Sequence, residues 1–490
     1  MKFGDYPKAG SLDGVTGFRN YVQSLGLDMP CDDIVSHGPN SPLAAPLEID
    51  GMKIGHRLAI HPMEGWDCQR DGKPSENTKR RWHRFGLSGA KLIWGGEACA
   101  VRPDGRANPK QLTMTAESQS EIAGLRDIAI AGHKEATGGD GSDVVIGLQL
   151  THSGRFCKPN DNTKFESIIA YNHPLLDRKF GYPKDRPVIS DDEIKRLIED
   201  FIVAAKRAEA CGYDFVDVKH CHGYLGHEFL SAVDRPGPYG GSLENRTRFM
   251  REIVEGIRAE APRLRIGVRL SAIDSVPYKP DPARSVPGAL GPGIPEEHTL
   301  PYRYAFGGNP DNPLEYDLTE TKALLEIMRG LGVRFVNVTA ASPYYNPHII
   351  RPALYPPSDG YHPPEDPFVG VMRQLSVVRD LKQAFPDFCF MGSGYTYLQE
   401  FFPNVAQAVV RQGWVDLVGL GRMVLAYPEL PIDILQGKPI NKKRNCRTFS
   451  DCTTAPRNGI VSGCYPLDAF YKKSPEFKQL AAVKKPAQTA

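Results

Sequence analysis

Two glycine-rich turns mark where this sequence can bind an anion. Gly392-Ser393-Gly394 and Gly419-Leu420-Gly421-Arg422 each continue a short apolar run. Exposed backbone N–H groups in such turns, joined by an arginine fork, converge on a phosphate. Three further polar runs also follow apolar segments: Gln149-Leu150-Thr151-His152-Ser153-Gly154-Arg155, Lys219-His220-Cys221-His222-Gly223-Tyr224 and Val268-Arg269-Leu270-Ser271. Taken alone, Gly-x-Gly-Arg is more often a tight turn than a binding site. Its meaning depends on the element it follows.

The apolar runs are strand-like. Arg57–His61, Lys91–Trp94, Val144–Leu150, Phe215–Lys219, Arg265–Leu270, Phe335–Thr339, Phe388–Met391 and Leu417–Gly419 make eight, and segments of helical period separate them. Alternation of this kind predicts a parallel sheet with crossover helices. The clearest helix opens on Ser190 and Glu193, a capping-box pair. Ile194, Leu197, Ile198, Phe201, Ile202 and Ala205 then repeat on one face until Gly212 stops it. Similar stripes run through 249–259, 321–331 and 371–384. Eight strands favour a closed (β/α)8 TIM barrel over an open sheet. Chemistry in such barrels sits at the C-terminal strand ends, and the loops after strands seven and eight are their recurrent phosphate site. A bound phosphorylated cofactor is therefore expected.

The chain of 490 residues is long for the roughly 250-residue minimum of this fold, so one elaborated barrel is expected. Hydrophobic residues at 41% and charged residues at 24% are ordinary globular values. A formal charge of +2 offers no field for nucleic acid or an anionic membrane, which leaves a small-molecule partner. No stretch of about 18 apolar residues occurs and the N-terminus lacks a signal-type apolar core, so the expected location is cytoplasmic. Three regions fall outside the minimal barrel, taken as 47–436. Residues 1–46 form a leader that caps the barrel bottom or stays mobile. Residues 274–312, rich in Pro and Gly and following strand five, are expected to lack regular structure and to act either as a lid or as a mere surface insertion. Residues 437–490 form a C-terminal extension that holds Cys446, Cys452 and Cys464.

Several motifs resemble, in order, the signature of Old Yellow Enzyme-like NADH:flavin oxidoreductases. They are Pro62-Met63 with Gly65, Glu97-Ala98, Gln149 with His152 and Gly154-Arg155, and His222-Gly223-Tyr224-Leu225. The string from Tyr239 to Arg246 (YGGSLENR) and the run from Asp416 to Arg422 complete the set. The similarity covers about residues 45 to 435, and the YGGSLENR string is its most specific part. The resemblance implies FMN, with NADH or NADPH as the electron donor. It places Pro62, Met63 and Ala98 against the isoalloxazine, Gln149 on its pyrimidine edge and Arg269 near N1 and C2=O. Gly392, Ser393, Gly394, Gly421 and Arg422 go to the phosphate.

In the family, two side chains at the end of strand four hydrogen-bond the oxygen of an activated alkene, and a tyrosine two residues on protonates carbon. Here those positions hold Lys219, His222 and Tyr224, and the lysine departs from the usual His-x-x-His or His-x-x-Asn. Lys219 then either polarises a carbonyl, serves a carboxylate substrate, or pairs with an acidic lid residue. His220 should point away by strand alternation. Tyr344, Tyr345 and Asn346, after strand six, are candidates for shaping the substrate pocket. Larger relatives carry a four-cysteine [4Fe–4S] site in the region of the tail. Cys446, Cys452 and Cys464 match three of its positions and Phe449 stands at the fourth, so the segment is read as a relic without its cluster, the other options being an unusual cluster or zinc. The expected activity is NAD(P)H-driven reduction of an enone-type acceptor. Its alternatives are an amine dehydrogenase or N-demethylase acting on a zwitterionic N-methylated substrate, and a catalytically silent flavin binder. A homo-oligomer is expected from the relatives.

Overall fold

A computed structural model describes residues 6–286 and 290–484. Eight parallel strands close on themselves: β1 (Leu58–Ile60), β2 (Leu92–Ile93), β3 (Val145–Thr151), β4 (Phe215–Val218), β5 (Arg265–Ile273), β6 (Phe335–Ala340), β7 (Cys389–Gly392) and β8 (Leu417–Leu420). Each pairs with the next, and β8 returns to β1 with Val418 opposite Leu58. This is the (β/α)8 barrel expected from the strand rhythm. β2 has a second piece, Ala98–Ala100, which pairs with β3 at Gln149–Thr151. Between the two pieces Gly96 takes φ +52°, and a Cβ there would fall 2.3 Å from the Trp82 ring, so only glycine fits.

The barrel interior is aromatic and tightly filled. Trp94 lies 4.3 Å from the Phe335 ring and 5.4 Å from Phe215, centroid to centroid. Gly147 makes room for that cluster, since a Cβ there would meet Phe215 at 2.3 Å. The floor is a hairpin, Leu47–Ile49 paired antiparallel with Met52–Ile54, whose Ile49, Met52 and Ile54 join the interior cluster.

Outside the sheet, the helix Asp191–Ala210 begins at Ser190, whose side chain accepts from the Glu193 N–H. Only this half of the expected box forms. The Glu193 carboxylate instead takes Arg102 at 2.5 Å and Arg196 at 2.8 Å, charged donors that outbid a backbone N–H. The other stripes become Arg248–Glu260, Thr319–Gly330 and Pro367–Ala384.

The described part of the leader runs along the barrel and ends beside the start of β1, where the Ala45 carbonyl accepts from Arg57 Nε at 2.8 Å. Its helix Gly14–Ser24 stacks Phe18 on Phe401 at 4.5 Å and edge-on to Phe368 at 5.4 Å, against the flank of the barrel. The insertion departs from expectation. Tyr278–Pro280 and Gly293–Pro295 form an antiparallel ribbon despite their prolines, an arrangement open to proline because each strand has a free edge. The ribbon braces its neighbours: Lys179 Nζ donates to the Tyr278 carbonyl at 2.9 Å, and Tyr278 packs on His348 at 4.6 Å.

Candidate active site

The C-terminal ends of the strands open on one cavity with two lobes, of about 160 and 230 Å3. Pro62, Glu64, His222, Arg269, Arg351 and Thr453 border both. The smaller lobe adds Ala98, Gln149, Lys219, Tyr224 and Tyr344. The larger adds Met63, Ser393, Gly394, Gly421 and Arg422. Gly392, Tyr345 and Asn346, all singled out from sequence, lie elsewhere, and the buried Asn346 amide donates to the Ser275 carbonyl at 3.1 Å. Gly392 is buried in β7, where a Cβ would meet Tyr395 Oη at 2.8 Å. Tyr345 turns away from its neighbour Tyr344, and its hydroxyl donates to Asp274 Oδ2 at 2.7 Å.

After β4 the chain makes a tight corner, with His222 at φ +68° and Gly223 at φ +75°. That conformation costs a non-glycine residue about 1 kcal/mol or more. Neighbouring strands hold it: the His222 N–H donates to Ser271 Oγ at 3.1 Å, and its carbonyl accepts from Ser342 Oγ at 2.7 Å. Burial, then Arg269 and Lys219, drive the His222 pKa well below its usual value, so the ring is neutral. Its Nε2 is shielded and has no protein partner among the described residues. His220 points the other way, with Nδ1 against the Val218 carbonyl at 3.0 Å and its ring toward Phe249.

Lys219, Tyr224 and Glu64 form a compact group. The Lys219 ammonium sits 3.4 Å from Glu64 Oε1 and 3.8 Å above the centre of the Tyr224 ring, close enough for a cation–π contact. The Tyr224 hydroxyl lies 3.4 Å from the same Glu64 oxygen and 3.1 Å from Tyr344 Oη. Burial raises the Tyr224 pKa well above its usual value, with Glu64 next in effect, so the phenol keeps its proton. The acidic partner of Lys219 is therefore in the loop after β1 and not in the insertion.

Below this group lies a buried carboxylate that the sequence reading missed. Asp217 on β4 accepts from Trp94 Nε1 at 2.7 Å and Gln149 Nε2 at 2.6 Å through Oδ2, and from the Arg269 N–H at 2.6 Å through Oδ1. The Gln149 amide is thereby oriented, its donor half occupied and its carbonyl left for the cavity. Arg269 pairs with no carboxylate among the described residues. Its Nη1 reaches only the Pro62 carbonyl, at 3.5 Å, and its Nε is buried without a partner. A buried cation so poorly satisfied is a vacancy for an acceptor.

The cover of the cavity comes from two irregular segments, the loop after β6 and the C-terminal extension. Pro343, Tyr344 and Arg351 descend from the first, and Cys452, Thr453 and Arg457 from the second. None of the described residues of 274–312 borders either lobe. Only Cys452 of the three tail cysteines does so. Burial first, then Cys446 and Cys452, raise the Cys464 pKa, yet the three sulfurs do not form a group within 4.8 Å of one another, and Phe449 packs on Tyr355 at 5.4 Å. Among the described residues, Asp67, Cys68 and Glu97 bring three candidate metal-ligand atoms within 4.8 Å. Arg81 occupies that centre, 2.6 Å from Asp67 and 2.7 Å from Glu97.

The sequence model of the NADH:flavin oxidoreductase / NADH oxidase family matches residues 42–283. The putative 12-oxophytodienoate reductase 2 of Oryza sativa subsp. japonica is 31% identical over 48% of this chain and 60% of its own length. An NADPH dehydrogenase of Geobacillus sp. (strain WCH70) is 31% identical over 48% of this chain and 64% of its own. The solved old yellow enzyme homologue from Zymomonas mobilis superposes with a TM-score of 0.54 at 19% identity, over 82% of this chain and 94% of that one, a likeness of fold. The chain carries the sequence signature of the NADH:flavin oxidoreductase family over residues 42–283. It spans about three fifths of the length of these curated relatives.

Proposed function

We propose that this chain is an FMN-dependent oxidoreductase that uses NADH or NADPH to reduce an electron-poor alkene or related acceptor. One observation carries the reading: a poorly satisfied Arg269, an Arg422 without a side-chain partner among the described residues and the Lys219–His222–Tyr224 group all face one cavity. The residues fit FMN. Arg269 and the Gln149 carbonyl suit the polar edge of a flavin. Ser393, Gly394, Gly421 and Arg422 suit its phosphate, and a Cβ on Gly421 would touch only Met63 Sδ, at 3.6 Å, so the backbone there is open to a ligand.

When bound, FMN supplies a two-electron carrier that takes hydride from one partner and returns it to another. The protein's part is orientation and proton handling. Lys219 and the neutral His222 ring would donate to the acceptor's oxygen and draw charge from its double bond. Tyr224 holds the proton that carbon needs, and its raised pKa keeps that proton until charge develops. Arg269, a fixed cation, favours negative charge on whatever edge it meets. The tail cysteines are read as a relic that holds no cluster.

The test is anaerobic stopped-flow absorbance of the purified protein mixed with NADH, NADPH or N-methylated amino acids. Bleaching of the flavin band by a nicotinamide, reversed by cyclohexenone, is the expected result. Bleaching by an amine alone would replace the proposal with the opposite direction of flow, oxidation of a zwitterionic N-methylated substrate. The cations described next are the observation in favour of that second reading.

A further inference from the structure

The cavity carries more positive charge than its own carboxylates balance. Among the described residues, Lys219, Arg269, Arg351, Arg422 and Arg457 border it, against Glu64 alone. Glu64 serves Lys219 at 3.4 Å. In the flavin reading, Arg269 and Arg422 go to the pyrimidine edge and the phosphate. Arg351 and Arg457 remain, and both belong to the cover.

Arg351 donates through Nη1 to Thr453 Oγ1 at 2.5 Å and has no carboxylate within 4.0 Å among the described residues. Burial first, then Arg422 and Arg457, hold its pKa down at about 10. Arg457 is clamped in place. Nη1 pairs with Asp359 at 3.1 Å, and the guanidinium lies 4.4 Å over the centre of the Tyr344 ring. Asp359 is 49% exposed while Arg457 is 11% exposed, so water screens the carboxylate and leaves the inner end of the pair cationic. Tyr344 in turn meets the Tyr224 hydroxyl at 3.1 Å. Arg457 is thus one ring away from the proton donor. Like charges gathered in a shielded cleft raise its free energy unless an anion joins them.

We infer that the substrate is a small organic carboxylate, anchored by Arg457 and Arg351 beneath the cover while Lys219, His222 and Tyr224 act on the atoms beyond it. The inference rests on the flavin reading for the assignment of Arg269 and Arg422. It gives the C-terminal extension a function: its helix Asp451–Arg457 carries one arginine of the anchor and Thr453, the partner of the other. A planar guanidinium matches a carboxylate in two parallel hydrogen bonds, which a neutral ligand of equal size cannot reproduce.

The experiment titrates the full-length flavin-loaded protein with trans-cinnamate and with trans-cinnamamide, two probes of the same shape that differ in charge. Binding is read from the flavin band and from the fluorescence of Trp66, which borders the same lobe. Cinnamate should bind about tenfold more tightly or better, and Arg457→Gln should erase that preference while FMN content stays unchanged. Asp359→Asn, which releases Arg457 from an exposed partner, should tighten cinnamate by about two- to fivefold, a gain that a folding defect cannot mimic. Equal affinity of the wild-type protein for the two probes would overturn the inference. So would an Arg351→Gln protein that loses FMN but keeps its preference for cinnamate, because Arg351 would then be a phosphate ligand. If the protein takes up no flavin, the flavin reading falls, and the Trp66 signal still decides whether the cleft selects carboxylates.

Discussion

Asp217→Asn tests the polar floor of the cavity with the smallest available change. The carboxylate takes two donors on Oδ2, Trp94 Nε1 and Gln149 Nε2, and one on Oδ1, the Arg269 N–H. An asparagine of the same shape keeps one acceptor. Its best placement turns the carbonyl toward the two side-chain donors, which sets its NH2 against the Arg269 N–H. One buried donor loses its partner, at about 1–3 kcal/mol, and the other two bonds lose their charge assistance, at about 1 kcal/mol each. Against this, the buried carboxylate itself is costly to ionise, which is why burial raises its pKa. The net expectation is a loss of about 2–4 kcal/mol in urea-induced unfolding. FMN affinity should fall by about tenfold as Gln149 is held by a neutral bond in place of a charge-assisted one. Asp217→Leu strands all three donors and should cost more than the asparagine. An Asp217→Asn protein within about 0.5 kcal/mol of wild type, with unchanged FMN affinity, would refute the reasoning, since Gln149 would then be held by something other than this carboxylate.

Three further outcomes are expected. Tyr224→Phe should slow reoxidation of the reduced flavin by an enone by about 10²- to 10⁴-fold and leave its reduction by nicotinamide nearly untouched, as measured in separate half-reactions. Acid should destabilise the fold early. Burial lowers the pKa of His56, His152, His220 and His348 to about 4 each, below the unfolded value of 6.5. The unfolded chain therefore binds more protons between these values, and unfolding free energy should fall by several kcal/mol from pH 6.5 toward 4, as read by denaturant midpoints. Anaerobically purified protein should contain far less than one iron per chain and show no broad band beyond flavin absorbance, because Phe449 stands at the sequence position of a fourth thiolate and leaves three cysteines, one short of such a site.

Much of the fold was legible because its signals are local. Short β-branched runs alternate with helical stripes, and all eight expected strands appear within a few residues of their places. Lys219, His222 and Tyr224 were legible for a similar reason: one turn after one strand carries all three. Adjacent residues in irregular chain are harder. Tyr344 and Tyr345 differ by one position, yet one borders the cavity and the other bonds Asp274 beneath the insertion. Glu64 sits beside the recognised Pro62-Met63 and passed unremarked, since nothing in its spacing announces Lys219 across the barrel mouth. Asp217 read as one more strand residue, although a charged side chain inside a barrel strand is a signal that burial will demand partners.

What only the tertiary structure decided is the cover of the site. Arg351 and Arg457 are separated by more than a hundred residues, in segments with no periodicity to read, and they meet because the extension folds back over the loop after β6. The Pro/Gly-rich insertion looked like the lid and instead braces that loop from outside, through Tyr278 and His348. Periodicity is written residue by residue, because strand and helix geometry repeat along the chain. Convergence of loops depends on how the finished barrel presents its rim, and on buried charges that have no counterpart until the chain has closed over them.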